Sequence, residues 1–449
     1  MSIALVILAA GKGTRMDSDL PKVLHKIGGA PLLHHAMLSA SALEPERTIV
    51  VTGHGAELVE AAALDFDADA VAVRQDEQLG TAHAVRQAKQ ALAGFEGDVI
   101  VLYGDTPFIS TDTLDAMRAA RASNDVVVLG FQAADPGRYG RLVMEGNTLS
   151  RIVEYKDATD AERAVTLCNS GVVCADAETL LDLVDAVGND NASGEYYLTD
   201  IVGIAGDRGL KSTAVTCDEA ETIGINSRVE LAAAEATFQA RMRVSLMDSG
   251  VKMQAPDTVF LSFDTVIGRD AEIEPNVIFA PGVTVESGAR IRAFSHLEGA
   301  HVSRGAIVGP FARLRPGAEL AEQVHIGNFV EIKNARIDEG AKVNHLSYVG
   351  DAEVGARSNI GAGTITCNYD GVMKHKTTIG RDTFIGSNTM LVAPVTVGDA
   401  AMTATSTVVT RDVPEGAMAI GRADQVNKDG FARKLFSMLR AKKAKLGKG

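Results

Sequence analysis

The stretch IGRDTFIGSNTM at residues 379–390 contains two copies of one six-residue pattern. Each copy begins with an aliphatic residue and a glycine, continues with small or polar residues and ends with a large apolar residue. A hexad repeat is typical of a parallel β-helix, in which each short strand places one apolar residue in a stacked core and small residues turn the corners. A β-sandwich would give irregular spacing instead. The same hexad recurs at residues 267–272, 285–290, 314–319, 326–331 and 360–365. The repeat therefore predicts a left-handed parallel β-helix over residues 250–449.

The first half of the chain has a different rhythm. Short apolar runs at residues 3–8, 48–51, 99–102 and 126–129 alternate with helix-like segments. Such alternation predicts a mostly parallel sheet with covering helices, a Rossmann-like α/β domain over residues 1–228. Good helix formers without Gly or Pro follow, and they predict a linker helix over residues 229–249.

Composition limits the classes of function. A chain of 449 residues with 46% hydrophobic residues can form two or three domains. Its net charge of −14 argues against a general nucleic-acid or anionic-membrane binder, so any anionic substrate must be held by local basic groups. The first eight residues lack a basic leader and are too short to span a bilayer, so we expect no membrane insertion. Four cysteines without a C-x-x-C pair fit reduced thiols in a cytoplasmic protein; they are Cys168, Cys174, Cys217 and Cys367.

A phosphate-binding loop is predicted directly after the first strand. Residues 8–16 read LAAGKGTRM and residues 20–24 read LPKVL. Small residues let the backbone approach a phosphate chain, and Arg15 and Lys22 add positive charge. The spacing fits neither a Walker A loop nor a Rossmann dinucleotide fingerprint.

The whole string resembles the signature of sugar-phosphate nucleotidyltransferases. Further matching pieces are Gln75 with Gly80-Thr81, Tyr103-Gly104-Asp105, Glu154 with Asn169-Ser170-Gly171, and Asn226. The resemblance implies that the uracil and ribose end of UTP lies against Leu8, Ala9, Ala10, Gly11, Gln75, Gly80 and Thr81. It also implies that Gly140, Glu154 and Asn169 contact the sugar, that Tyr103 and Gly104 line the site, and that Lys22, with Arg15, acts on the phosphates.

Nucleotidyl transfer brings two anions together, so a divalent ion and cations must neutralise and align them. Asp105 follows a predicted strand, which places a hard oxygen ligand at the carboxyl edge of the sheet. The alternative for Asp105 is a cap on the following segment. The resemblance adds Asn226 as the second ligand and Mg²⁺ as the ion.

Three features of the repeat region exceed what packing requires. Arg315 and Lys333 lie on successive predicted turns, where they could clamp a phosphate or could be solvated surface charges. His345 and Tyr348 are predicted to lie close together, either as a base beside a phenol or as packing residues. Residues 366–376 interrupt the hexads and predict a projecting loop. A tail from Lys428 predicts a solvated helix with a frayed end.

The repeat region also carries a resemblance. The strings EIKN at residues 331–334, HLSYVGD at 345–351 and GAGTITCNYDG at 361–371 resemble the bifunctional bacterial glucosamine-1-phosphate acetyltransferase and N-acetylglucosamine-1-phosphate uridyltransferase family. The resemblance implies a homotrimer that acts on small molecules and takes acetyl-CoA and UTP as co-substrates. It makes His345 the general base, with Arg315, Lys333, Tyr348 and Asn359 holding the sugar phosphate. Contacts to acetyl-CoA would come from Ala362, Asn368, Tyr369, Ser387, Thr405 and Arg422.

Thr405 departs from the alanine expected at its position. If the contact uses backbone, little changes; if it uses the side chain, the affinity for coenzyme A is affected. Two rival hypotheses remain. One is a single-activity sugar-1-phosphate nucleotidyltransferase whose β-helix only assembles subunits, and the other is a non-catalytic regulatory subunit with the same modules. The set Lys22, Asp105 and Asn226 argues against the second, and His345 with its neighbouring cations argues against the first.

Overall fold

The computed structural model describes residues 2–446. Met1 and residues 447–449, which fall at the outer ends of the two predicted domains, lie outside the described residues. The chain divides into two compact units. One contains the residues up to Val244 together with Leu261–Phe263, and the other contains Ser245–Phe260 and the chain from Asp264 onward.

The first unit is built on a mixed, mostly parallel sheet. Every apolar run predicted as a strand lies in it, buried on both faces as a strand between helical layers must be. The long strand Leu167–Asp176 is the exception to the parallel order, because it pairs antiparallel with both of its neighbours. In spatial order the strands are Ser212–Cys217, Val126–Gln132, Leu167–Asp176, Gly97–Tyr103, Ser2–Ala9, Arg47–Thr52 and Val71–Arg74.

Helices and a hairpin complete this unit. The hairpin strands Arg141–Glu145 and Thr148–Val153 pair with each other, and the first of them also pairs with Leu167–Asp176. A small ribbon joins Lys26–Ile27 to Ala30–Pro31. The α-helices are Leu32–Ser41, Ala56–Phe66, Thr81–Gln87, Thr111–Arg121, Asp160–Arg163, Ala177–Ala186, Ile201–Asp207 and Arg228–Asp248; short 3-10 turns span Thr14–Met16, Lys22–Leu24, Leu198–Asp200 and Glu219–Glu221.

The helix Arg228–Asp248 follows the Gly- and Pro-free run and packs within the first unit over most of its length. Phe238 lies in a buried cluster with Ile27 and Leu32. The Gln239 amide donates to the Leu261 carbonyl oxygen at 2.7 Å and accepts from the Leu261 backbone N–H at 2.9 Å. A helix held by both apolar packing and paired hydrogen bonds is fixed to this unit.

The second unit is a three-sided parallel β-helix. Ile267 pairs with Val285 and Val285 with Val302, so one coil takes 17 or 18 residues, or three hexads. The apolar residue of each hexad is buried in a column that runs along the unit. One such column pairs Val354 with Ile379, and the longer interval there shows where the chain leaves the coil.

The strands of the three faces have the following bounds. The first face contains Lys252–Met253, Glu272–Ile273, Arg290–Ile291, Ile307–Val308, His325–Asn328, Lys342–His345, Asn359–Ile360, Phe384–Ile385, Met402–Thr403 and Met418–Ala419. The second contains Val266–Ile267, Thr284–Val285, Ala300–Val302, Ala318–Leu320, Thr377–Ile379 and Val395–Val397. The third contains Ile278–Phe279, His296–Leu297, Arg313–Leu314, Ile365–Cys367, Met390–Val392 and Val408–Val409, while Glu331–Ile337 and Tyr348–Val354 pass from the third face to the second.

Two segments leave the coils. The predicted loop at residues 366–376 is shorter than expected, because Thr366 and Cys367 still belong to the strand Ile365–Cys367 and the chain departs at Asn368. The last element that the structure describes is the predicted exposed helix, Phe431–Lys445. Within residues 2–446, no helix is long and apolar enough to cross a bilayer.

Candidate active sites

The first unit contains a cavity of about 480 Å³ at the carboxyl edge of its sheet. Leu8 and Tyr103 are register partners in adjacent parallel strands, so the loops after both strands reach the same edge. The cavity is lined by Leu8, Ala9, Ala10, Gly11, Lys12, Lys22, Val23, Gln75, Gln78, Gly80, Thr81, Ala84, Tyr103, Asp105 and Glu195. The structure thus brings the predicted nucleotide loop together with Gln75, Gly80 and Thr81.

Gly80 lies where the chain passes close to the backbone of Tyr196. Its φ is 119°, and a Cβ there would lie 2.5 Å from the Tyr196 carbonyl oxygen. The Tyr196 backbone N–H in turn donates to the Leu79 carbonyl oxygen at 2.8 Å. Only glycine permits this approach, which carries the segment containing Glu195 to the cavity wall.

Lys22, Asp105 and Asn226 form one polar cluster beside this cavity. The Lys22 ammonium pairs with the Asp105 carboxylate and donates to Asn226 Oδ1 at 3.1 Å. The backbone holds the two oxygen groups together, because the Ile225 N–H donates to the Asp105 carbonyl oxygen at 3.0 Å. A carboxylate and an amide oxygen around one positive charge are a donor set that suits Mg²⁺, so these residues fit the predicted ion.

Arg15 is not brought into the cavity. It lies exposed in the turn Thr14–Met16, which is closed by a hydrogen bond from the Met16 N–H to the Gly13 carbonyl oxygen at 2.9 Å. Gly104 does not line this cavity. Its backbone N–H donates to the carbonyl oxygen of Leu8, a lining residue, at 3.0 Å.

A second cavity of about 590 Å³ adjoins the first, with Thr81, Tyr103 and Glu195 lining both. Its walls include the predicted sugar contacts Glu154 and Asn169. Gly140 lies beneath them: its carbonyl oxygen accepts from the Asn169 N–H at 2.9 Å, and a Cβ on it would lie 3.3 Å from Glu154 Oε1. The cavity is also lined by residues that belong to none of the sequence motifs: Arg138, Tyr155, Lys156, Tyr197 and Thr199.

Two polar groups of this second cavity, Glu154 and Tyr103, have pKa values that favour their neutral forms. Burial raises the pKa of the Glu154 carboxyl group, although Thr199 Oγ1 donates to it at 3.3 Å. Burial, with the charges of Asp105 and Glu154, raises the pKa of Tyr103 well above its usual range. A phenol and a half-buried carboxyl group of this kind bind sugar hydroxyls by hydrogen bonds.

The predicted cation pair on the β-helix is present. Leu314 and Ile332 are register partners, so the residues that follow them, Arg315 and Lys333, are neighbours on adjacent coils. Arg315 donates to Glu331 Oε1 at 2.8 Å, which raises the pKa of Arg315. Lys333 lies 3.4 Å from Asp351 Oδ1.

Asp351 accepts hydrogen bonds from Lys333, Asn334 and Asn368. Its burial acts to raise its pKa, but hydrogen bonds from Asn334 and Asn368 and the Lys333 ammonium more than offset burial and lower the pKa. The carboxylate is therefore charged and holds the Lys333 ammonium and the Asn368 amide in fixed positions.

His345 is exposed and its ring is oriented by a residue of the adjacent coil. His345 Nδ1 lies 3.0 Å from Asn328 Oδ1, and the two residues are register partners. An amide oxygen can accept but not donate a hydrogen bond, so this contact requires the proton of the neutral ring on Nδ1 and leaves Nε2 without one.

Tyr348 is close in sequence but lies on another face of the β-helix. His345 ends one strand and Tyr348 begins the next, with the corner residue Leu346 at φ 49° between them. Tyr348 Oη lies 3.5 Å from Asn368 Nδ2, at the start of the projecting loop. The phenol is thus placed beside the loop and not against the imidazole.

Three of the remaining predicted contacts, Ala362, Ser387 and Thr405, form a row along the coils. Ile360 pairs with Ile385 and Ile385 with Thr403, so Ala362, Ser387 and Thr405, each two residues further on, stack above one another. Arg422 Nη1 donates to the Thr405 carbonyl oxygen at 2.6 Å. Asn359 lies on the same face as the His345 strand, paired with Lys342.

The projecting loop is a small hairpin. Tyr369 and Lys374 form an antiparallel bridge, and His375 Nε2 lies 2.7 Å from Asp370 Oδ2. Hydrogen bonds from the Met373 N–H, His375 and the Val372 N–H lower the pKa of Asp370 to about 2. Tyr369 itself is 60% exposed, so its ring is accessible at the base of the hairpin.

Comparison with known families places the chain in a class. Residues 5–180 match the model of the MobA-like NTP transferase domain, and residues 264–299 match the bacterial transferase hexapeptide (six repeats). The two units therefore define a transferase with a Rossmann-like nucleotidyltransferase domain and a left-handed hexapeptide β-helix, which confirms the predicted fold class.

The particular family follows from full-length relatives. The chain is 68% identical over 449 residues to the Bifunctional protein GlmU of Ruegeria sp. (strain TM1040), with all of both chains covered. It is 70% identical over 444 residues to that of Ruegeria pomeroyi, covering 99% of each chain, and 65% identical over 439 residues to that of Jannaschia sp. (strain CCS1), covering 98% and 97%. The chain belongs to the GlmU family, which confirms the resemblance found in the sequence.

Proposed function

We propose that this chain is a bifunctional enzyme that acetylates glucosamine 1-phosphate with acetyl-CoA and then transfers UMP from UTP to the resulting N-acetylglucosamine 1-phosphate. The observation that carries the proposal is that one chain of this family holds two separate candidate sites, each within its own unit. Adjoining cavities of about 480 and 590 Å³ fit a nucleotide and a sugar in the first unit. A base, a cation pair and a stacked row of small residues occur in the second.

In the first site, the sugar phosphate oxygen attacks the α-phosphorus of UTP in line with the departing pyrophosphate. The loop at residues 8–11 admits the nucleotide close to the backbone. Lys22 holds a phosphate, and Arg15 would supply a second positive charge by movement of its exposed turn. Asp105 and Asn226 would hold Mg²⁺, which supplies charge neutralisation when bound.

In the second site, the glucosamine nitrogen forms a bond to the acetyl carbonyl carbon while His345 Nε2 takes the proton from the amine. The carbonyl–sulfur bond then breaks, the coenzyme A sulfur takes the proton back from the His345 imidazolium, and coenzyme A leaves as the thiol. Arg315 and Lys333 hold the phosphate, and Tyr348 and Asn359 position the sugar. The coenzyme lies along Ala362, Asn368, Tyr369, Ser387, Thr405 and Arg422.

Residues 1–228 would carry uridylyl transfer, residues 229–249 connect the parts and residues 250–449 carry acetyl transfer. The enzyme would be a cytoplasmic homotrimer. An exposed aromatic ladder on the β-helix supports assembly: the rings of Phe294 and Phe311 stack at 4.9 Å between centroids, and those of Phe311 and Phe329 at 5.3 Å. Contiguous exposed apolar surface of this kind marks interfaces between chains.

The test is a pair of assays on the purified chain. Acetyl-CoA with glucosamine 1-phosphate should release free thiol, and UTP with N-acetylglucosamine 1-phosphate and Mg²⁺ should release pyrophosphate. Pyrophosphate release without thiol release would instead support a single-activity nucleotidyltransferase. Absence of both would support a non-catalytic subunit.

A further inference from the structure

The C-terminal helix Phe431–Lys445 has an exposed apolar face. At 3.6 residues per turn, Phe431, Leu435 and Leu439 lie on one side of the helix, flanked by Phe436 and Met438. Each of these side chains is between 40% and 60% exposed. Large apolar groups that share one exposed face create a driving force for association with another apolar phase.

The same helix is strongly basic. Residues 431–446 contain no Asp or Glu, and their basic residues are Arg433, Lys434, Arg440, Lys442, Lys443 and Lys445. The whole chain has a net charge of −14, so this segment is a local reversal of the field of the protein. The negative net charge argues against attraction of the whole chain to an anionic surface, but this basic helix can bind such a surface locally.

The positions of the basic residues on the helix indicate whether its apolar face binds a protein groove or a bilayer surface. Arg433 and Arg440 lie on the side opposite the apolar face, whereas Lys442 and Lys443 lie within the arc of that face in the last turn. In a groove between proteins, these two ammonium groups would be desolvated. At a bilayer surface, their long stems lie along the acyl chains while the ammonium groups reach the lipid phosphates.

We infer that this helix binds the surface of bilayers that contain anionic phospholipid. Its 15 residues span about 22 Å at 1.5 Å per residue, which is short of the roughly 30 Å hydrocarbon core, so it lies in the plane of the interface and does not cross. Residues 423–428 before it are exposed and form neither helix nor strand, and they provide a tether of the kind a peripheral anchor uses.

Cosedimentation of the full-length protein with vesicles tests this inference. Vesicles of equimolar phosphatidylglycerol and phosphatidylcholine should bind the protein, and vesicles of phosphatidylcholine alone should bind it at least about tenfold more weakly, because each basic residue near an anionic surface raises binding about fivefold. Raising the salt from about 0.1 M to about 1 M should weaken binding to the anionic vesicles.

Two variants of equal charge separate the apolar face from the charge. Leu435→Glu with Leu439→Glu places two carboxylates on the apolar face and should lower vesicle binding at least about tenfold, from lost apolar burial. Ser437→Glu with Ala444→Glu adds the same charge on the opposite face and should bind distinctly better than the first variant. Both should retain pyrophosphate release, because no residue of this helix is assigned to either site.

Four results would overturn the inference. One is equal binding of the protein to the two kinds of vesicle. Another is an equal loss of vesicle binding in the two charge-matched variants, because the effect would then be purely electrostatic. The third is a smaller particle by light scattering for the Leu435→Glu, Leu439→Glu variant without vesicles, since a second copy of the chain would then be the occupant of the face. Binding to a single-stranded oligonucleotide that both variants weaken equally would identify a nucleic-acid contact and would also contradict it.

Discussion

Asn328 Oδ1 accepts a hydrogen bond from His345 Nδ1 across adjacent coils of the β-helix, at 3.0 Å. The contact joins residues 17 positions apart, one coil of this fold, and it fixes which ring nitrogen is free to act as a base.

Replacing Asn328 tests that positioning role. Asn328→Ala should lower kcat for acetyl transfer by about tenfold, the effect expected for losing one orienting hydrogen bond, with little change in KM for glucosamine 1-phosphate. Asn328→Asp should restore orientation but favour the protonated ring, which moves the acid limb of the pH–rate profile to higher pH. A profile identical to that of the unmodified enzyme in both variants would remove Asn328 from the account.

Arg315 and Lys333 should affect binding more than turnover. A phosphate clamp holds ground state and transition state alike, so Arg315→Ala or Lys333→Ala should raise KM for glucosamine 1-phosphate while leaving kcat nearly unchanged. Steady-state thiol release over a range of substrate concentrations separates the two parameters. Arg357→Ala, which breaks an exposed ion pair with Asp382 elsewhere on the β-helix, is the matched control. Loss confined to kcat would argue against the clamp.

The two activities should separate at Asp105. Asp105→Ala removes the carboxylate that pairs with Lys22 and should abolish Mg²⁺-dependent pyrophosphate release from UTP, because the ion loses its charged ligand. Thiol release from acetyl-CoA should persist in the same preparation. If both activities vanish while circular dichroism shows a folded protein, the assignment of two independent sites is wrong.

The aromatic ladder of the β-helix supplies a test of assembly. Phe311→Glu places a charge between the stacked rings of Phe294 and Phe329 and should reduce the trimer to smaller particles in light scattering. Leu58→Glu, on an exposed position of the helix Ala56–Phe66, should leave the particle size unchanged. A monomeric unmodified chain with full acetyltransferase activity would contradict the homotrimer.

Periodicity made the fold predictable from the sequence. The hexads determine the coil length, and the coil length determines that Arg315 and Lys333 are neighbours. The chain leaves the coil at Asn368, two residues later than the start of the predicted loop, because Thr366 and Cys367 still pair with Leu391 and Val392. Sequence pattern alone does not show which residues of an irregular hexad keep their pairing.

The candidate sites were predictable only where a motif or a resemblance reached them. Lys22 and Asn226 are 204 positions apart, and no spacing rule connects them. Glu195 and Tyr197 line the cavities from an irregular segment without a motif. The sequence did not predict a role for Asn328, because its partner His345 lies one coil away and their contact follows only from the strand register. Arg15 is part of the motif but lies in an exposed turn.

The most direct test of the whole account is the rate of thiol release from acetyl-CoA by His345→Ala, measured beside pyrophosphate release from UTP and the melting temperature of the same preparation. A base within reach of the amine contributes about 10²–10⁴-fold, so thiol release should fall by roughly that factor while pyrophosphate release and the melting temperature stay near those of the unmodified enzyme. Unchanged thiol release, or a loss fully explained by unfolding, would contradict the account.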